Sequence, residues 1–410
     1  METHLSPEFA GTPQGEQAEA ILRNCVHCGF CTAVCPTYQL LGDELDGPRG
    51  RIYQIKQVLE GAQPTRSTQI HLDRCLTCRS CETACPSGVE YGRLLDIGRA
   101  VVDARVERPA GERFDRWSLR EGLTSRLFAP AIRLGQVLRP LVPRRLRDKV
   151  APRQRSGARP AAEHPRKVFV LAGCVQPALL PNIGAATARV LDAVGVQPLV
   201  ADGAGCCGAI RQHLSDPSGA LADMKRNIDA WWPAVADGTV EAIVLDASGC
   251  GALVKEYGHH LRHDPAYADR AERISTLARD VSEYLPQFAP QLRSLLRGRP
   301  VDQLAYHPPC TLQHAQGVRG AAEQLLRDLG FDVRLPAESH MCCGSAGTYS
   351  VLQPELSKEL RNRKLQHLAE TAPQRIVSGN IGCIQQLQSG TTIPVQHWIE
   401  LVDEALHGRP

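Results

Sequence analysis

Short apolar runs alternate with longer amphipathic stretches through the second half of the chain. KVFVLAG (167–173), QPLVAD (197–202) and EAIVLDASG (241–249) read as buried strands. GAATARVLDAVGV (184–196) and DMKRNIDAWWPAVAD (223–237) lie between them with apolar residues at helical spacing. The pattern then recurs: QLAYH (303–307), AAEQLLRDLG (321–330), FDVRL (331–335), PELSKELRNRKLQHLAE (354–370) and QRIVSG (374–379). Strands alternating with helices predict α/β units with parallel pairing, and the recurrence predicts a duplication. Upstream the period is helical, as in GRIYQIKQVLEGAQPTRSTQIHLDRC (50–75).

The pattern divides the chain into a flexible lead (1–20), a helical module (21–105), an Arg- and Pro-rich linker (106–165) and two repeats (166–295 and 296–410). Length agrees, since 410 residues at ~150 per domain make two or three domains. A net charge of +3 and 5% aromatic residues argue against nucleic acid as the partner. There is no apolar run of the ~18 residues that a membrane span needs. The first twenty residues lack the basic and apolar regions of a secretory signal, so a cytoplasmic protein is expected.

Sixteen cysteines in a reducing compartment point to metal or redox chemistry rather than disulfides. Eight form two copies of C-x2-C-x2-C-x3-C-P, CVHCGFCTAVCP (25–36) and CLTCRSCETACP (75–86). Three cysteines so spaced wrap one cubane, and the fourth, before proline, ligates the other cluster. This assigns Cys25, Cys28, Cys31 and Cys85 to a first [4Fe–4S] cluster and Cys35, Cys75, Cys78 and Cys81 to a second. Structural zinc usually takes two separate C-x2-C pairs, which is not this spacing. Val26, Gly29, Phe30, Ala33, Leu76 and Ala84 lie between the ligands and are expected to shield the clusters from water. His27 is expected to face solvent.

The other eight cysteines fall in the repeats: Cys174, Cys206, Cys207 and Cys250, then Cys310, Cys342, Cys343 and Cys383. In both copies the first cysteine lies 32 positions before a CCG, and the last follows a glycine. These positions fall at strand ends, where open α/β sheets place ligands. The eight are candidate ligands of one or two further clusters; the alternative is that they pack as small apolar side chains. Residues 203–208 also spell G-x-G-x-x-G, but the second repeat lacks the first two glycines, so close backbone approach to the cysteine pair explains them better than a nicotinamide or flavin. His307, His314 and His340 lie near the second set and read as satisfied supporting or surface histidines; the alternative is that one of them is a cluster ligand or stabilises a reduced quinone.

Several segments carry a family resemblance: the run from 25 to 61, HLDRCLTCRSCETACPSGV, NIDAWWPAV, SGCGALVKEYG, CTLQHAQ, ESHMCCGSAGTYS and NIGC. The chain resembles the iron–sulfur subunits of respiratory 2-hydroxyacid and glycerol-3-phosphate dehydrogenases and a subunit of heterodisulfide reductase. Within that set it is most similar to the iron–sulfur subunits of bacterial glycolate oxidases, over essentially its whole length. The resemblance implies an α/β multidomain fold, a helical two-cluster ferredoxin domain followed by a duplicated α/β cysteine-rich domain. It also implies a hetero-oligomer in which FAD-containing subunits oxidise glycolate to glyoxylate. This chain, not catalytic alone, would pass the electrons toward a membrane quinone or other non-NAD acceptor. A lactate or glycerol-3-phosphate dehydrogenase subunit and a thiol–disulfide enzyme are the alternatives. Against the last, Ala247 and Asn380 stand where a five-cysteine repeat has its additional thiol. The basic, apolar-interleaved stretch LFAPAIRLGQVLRPLVPRRLRDKV (127–150) suits either a linker or subunit contact or a peripheral position on the inner face of the cytoplasmic membrane.

Overall fold

Thr12 caps the first helix, α1 (Pro13–Asn24), by accepting from the Gly15 amide, and Pro13 occupies the first helical position. The computed structural model describes residues 1–139, 153–296 and 303–408. The lead, expected to be flexible, is packed instead. Phe9 is buried, and the terminal ammonium donates to the Leu22 and Cys25 carbonyls. α2 (Pro48–Leu59), α3 (Arg66–Asp73) and α4 (Tyr91–Arg105) complete a helical module. α2 and α4 approach closely because Gly98 has no side chain; a Cβ there would lie 2.5 Å from Ile55. Leu22, Ile55, Leu59, Leu72, Leu94 and Leu95 fill the core. A buried polar knot pins the loop after Cys35 to α3. Arg51 donates to the His71 carbonyl, Thr37 Oγ1 and Asp46 Oδ1, while Arg74 reaches Asp46 Oδ2 at 2.8 Å.

The stretch read as a linker is helical over α5 (Ala110–Thr124) and α6 (Phe128–Leu138). Phe114, Trp117, Leu127, Leu134 and Val137 are each more than half exposed on these helices. Residues 140–150 of the basic stretch lie outside the described residues.

Two four-stranded sheets follow. β1 (Arg166–Val170), β2 (Val196–Leu199), β3 (Ala242–Leu245) and β4 (Ala278–Asp280) take the order β2-β1-β3-β4. β5 (Gln303–His307), β6 (Asp332–Arg334), β7 (Arg375–Ser378) and β8 (Val395–His397) take the order β6-β5-β7-β8. All pairings are parallel, with Val168 beside Ala242 in one sheet and Ala305 beside Ile376 in the other. The identical order establishes the duplication. Parallel strands need crossovers, and α7 (Pro181–Ala193), α8 (Pro217–Ala236), α9 (Pro354–Ala369) and α10 (Trp398–His407) are the main covering helices.

The repeats share one core in which Val168 and Val170 join Leu304, Tyr306 and Trp398. α10 packs on α7 of the first repeat, where Arg189 meets Asp403 at 2.6 Å and Asn182 donates to Glu400 at 2.7 Å. The carboxyl ends of β3 and β7 face each other: the Ser248 amide donates to the Gly379 carbonyl at 3.2 Å. The cysteine-bearing loops of both repeats are thereby brought together.

Candidate metal centres

In the two ferredoxin motifs the same two positions take left-handed backbone, His27 and Gly29 in one, Thr77 and Arg79 in the other. Non-glycine residues adopt that region only where surroundings enforce it. Here it winds each loop tightly enough for its three cysteines to converge. Cys25, Cys28, Cys31, Cys81 and Cys85 line one small cavity. Cys35 stands apart from that cavity, its Sγ 3.4 Å from Thr37 Oγ1, and its charge bears on Cys31 as well as on Cys78 and Cys81. Tyr91 donates to Cys75 Sγ at 3.5 Å.

The two sites differ in exposure. Cys75, Cys78 and Cys81 are buried, while Cys28 is exposed. Val26 and Phe30, expected to shield the first cluster, are 68% and 63% exposed. The tight turn that converges the sulfurs points these alternate side chains outward. His27, expected in solvent, is half-buried, edge-on to Tyr53, and burial with the nearby Arg49 lowers its pKa.

Such thiols are poor isolated acids. Burial, then the charge of Cys25, pushes Cys31 up to about 11. Burial raises Cys78 and Cys81 as well, with Cys310 and Cys78 respectively as the next cause. Grouped sulfurs that resist ionisation alone are deprotonated outright when they coordinate a metal. The donor set therefore fits two iron–sulfur clusters.

In the first repeat, Cys174 and Cys206 lie 3.5 Å apart, Sγ to Sγ. Cys206 accepts from Cys174 and Cys207, which lowers its pKa, and Cys207 in turn meets Cys250. In the second repeat, Cys310 and Cys342 are 3.8 Å apart and Cys343 meets Cys383. Each set of four is gathered from three loops, and sulfurs so closely grouped fit a metal centre. All eight line one cavity of about 700 Å³ that also admits Leu76 and Arg79 of the helical module. Cys78 lies in one apolar cluster with Leu76, Cys310, Cys342 and Tyr349, so the second ferredoxin site adjoins the second repeat.

The CCG glycines serve close packing. Gly208 and Gly344 both have left-handed backbone, and their amides donate to Cys206 and Cys342 Sγ at 3.4 Å. The Gly205 amide is taken by Asn227 Oδ1. The glycine run thus turns its amides onto protein atoms. Asn380, in the missing-cysteine position, donates to Cys383 Sγ at 3.7 Å. His314 bridges Thr83 of the helical module and the His340 carbonyl, each at 3.0 Å, as a satisfied supporting residue should. His307 departs from that expectation: it is fully buried, and neither ring nitrogen has a partner. Lys364 was also not anticipated. It is buried beside the second set, donates to the Glu338 carbonyl, and burial lowers its pKa to about 8 against the pull of Cys343 and Cys342. A helical pattern marks Lys364 as surface; only packing reveals it.

A helical dicluster module feeding two cysteine-lined α/β repeats defines an iron–sulfur electron-transfer protein. Residues 21–89 match the 4Fe–4S dicluster domain family, and residues 168–255 and 304–388 the CCG cysteine-rich domain family. The chain is 52% identical to the glycolate oxidase iron–sulfur subunit of Escherichia coli K12 over 99% of both chains. It is 29% identical to the probable glycolate oxidase iron–sulfur subunit of Bacillus subtilis 168, covering 91% of this chain and 89% of that one. Lactate utilization protein A of Oceanobacillus iheyensis is 28% identical over 59% of this chain and 98% of its own length. The chain belongs to the family of glycolate oxidase iron–sulfur subunits. As a member it is part of an oxidoreductase complex and works alongside other subunits.

Proposed function

We propose that this chain carries electrons from glycolate, oxidised to glyoxylate on a FAD-containing partner subunit, toward a membrane quinone. The observation that carries the reading is the unbroken succession of cysteine sets. It runs from exposed Cys28, through buried Cys75, Cys78 and Cys81, to Cys310 and Cys342, and opens on the shared cavity. In this reading Cys25, Cys28, Cys31 and Cys85 hold one [4Fe–4S] cluster, and Cys35, Cys75, Cys78 and Cys81 the other. The sets Cys174, Cys206, Cys207, Cys250 and Cys310, Cys342, Cys343, Cys383 hold one or two more. When bound, the clusters supply one-electron carriers that accept the two electrons of each glycolate in turn. The protein's residues fix the spacing, exclude water from the second site and donate N–H groups to the sulfurs. The described residues contain no helix long and apolar enough to cross a membrane. The exposed apolar residues of α5 and α6, with Arg126 and Arg133 among them, suit a peripheral position on the inner face of the cytoplasmic membrane.

An anaerobic titration tests this. The chain alone, given glycolate, keeps its oxidised absorption near 400 nm. With the flavin subunit added, glycolate bleaches it, and the chain carries more than the roughly eight irons of two cubanes. Robust turnover of the chain by itself, or iron that stops at eight, would refute the corresponding part.

A further inference from the structure

His307 closes β5 and is 0% exposed, with Nδ1 and Nε2 both lacking a hydrogen-bond partner. Burying an unsatisfied polar group costs on the order of 1–3 kcal/mol, so two orphaned nitrogens on one ring call for an occupant. The ring points at sulfur. A ring nitrogen of His307, Cys343 Sγ and Cys383 Sγ all lie within 4.8 Å of one another, and all three residues are buried. The fold does not require an imidazole there. Three residues before Cys174, at the matching place in the first repeat, stands Leu171, buried at 4% exposure.

We infer that His307 is a nitrogen ligand of the metal centre held by Cys343 and Cys383. The second repeat then carries a mixed cysteine–histidine centre, whereas the first offers only thiolates. This rests on the reading that the repeat cysteines bind metal, and it goes further by making the two centres chemically unlike. A metal bound there would engage one of the two orphaned ring nitrogens. Histidine ligation raises the potential of an iron–sulfur centre above that of one held by thiolates alone. Electrons reaching the cavity would therefore settle on the second repeat's centre before the first.

The test uses the full chain, prepared anaerobically with natural-abundance or 15N-labelled histidine, and compares wild type with His307→Leu and His307→Cys. Pulsed electron paramagnetic resonance of the reduced wild type is expected to show a directly bound histidine nitrogen that changes with the label. It should be lost in both variants while the two ferredoxin signals persist, which reports that the chain is still folded. His307→Cys should retain a centre with a lower midpoint potential. If the extra metal is zinc rather than iron, X-ray absorption should show one nitrogen scatterer, lost in His307→Leu; that outcome also supports the ligand. Extra metal with no histidine nitrogen, and spectra unmoved by His307→Leu, would overturn the inference while leaving the metal-binding repeats intact. Iron that stops at eight per chain with no zinc would overturn both.

Discussion

Thr187 Oγ1 donates to the Ile183 carbonyl at 2.9 Å and, more weakly, to Asp246 Oδ2 at 3.3 Å, while Gln176 donates to Asp246 Oδ1 at 2.8 Å. Both bonds favour the carboxylate, yet complete burial outweighs them and raises Asp246 to about 6. The unfolded carboxyl, near 3.8, loses its proton first. Between about pH 4 and 6 the native state holds more protons, and stability from this residue falls as pH rises. Asp246→Asn keeps the size of the carboxyl, still accepts from Gln176 and has no charge to bury at any pH. The variant is expected to match wild type near pH 4 and to exceed it above pH 6 by up to about 3 kcal/mol, read from anaerobic denaturation midpoints at both pH values. A variant equally shifted at both would refute the protonated carboxyl. The residue scale is also where sequence reading divides most sharply. Cysteine ligands announce themselves because C-x2-C-x2-C spacing is local chemistry. Asp246, His307 and Lys364 matter through burial and missing or unusual partners, and neither quantity exists along a one-dimensional chain.

Gly344 begins the segment after the second cysteine pair with φ near 84°, and a Cβ there would collide with the Ser357 carbonyl oxygen. Its counterpart Gly208 has φ near 98°, but a Cβ would sit 3.1 Å from the Ala220 carbonyl oxygen. Left-handed backbone alone costs an alanine roughly 1–2 kcal/mol, and overpacking adds about 1–3. Gly344→Ala is therefore expected to destabilise by more than about 2 kcal/mol and Gly208→Ala by less. Iron content and denaturation midpoints measured in parallel check the ranking; equal losses would refute it. Among elements, the strands with continuous apolar runs were legible as β1, β3, β5 and β7, the inner strands of each sheet. β4 and β8 were not: Ala278–Asp280 and Val395–His397 are three residues each and run directly into a helix, without the apolar run that marks the inner strands. α5 and α6 lie in the stretch read as linker because abundant arginine and proline obscure the helix bounds, although the interleaved apolar residues from 127 onward were visible.

At the scale of the whole molecule, the helical module is seated on both repeats. Arg79 meets Glu256 of the first at 2.5 Å, and Tyr349 of the second donates to the Arg74 carbonyl at 3.1 Å. This seating buries the second ferredoxin site and leaves the first outward, with Val26 and Phe30 flanking Cys28. An electron-donating partner would approach there. Phe30→Asp is expected to leave the iron content and cluster spectra unchanged while slowing reduction by glycolate plus the flavin subunit about thirtyfold, the loss of one interface anchor worth about 2 kcal/mol. Stopped-flow bleaching near 400 nm measures it, and an unchanged rate would place the donor elsewhere. The duplication and the two-part plan were readable from cysteine spacing. The contact between Cys78 and Cys310 was not, because nothing in either motif encodes which repeat the module meets.

α10 bears on how the protein is made. Its Asp403 and Glu400 supply the partners of Arg189 and Asn182 on α7, more than two hundred residues earlier. On the ribosome, the helical module has all its helices once residue 105 has emerged and can fold while synthesis continues. The first repeat, though translated before the second, waits for a helix made after both sets of repeat cysteines. With the repeat cysteines holding clusters as proposed, the order of cluster loading need not follow the order of the chain.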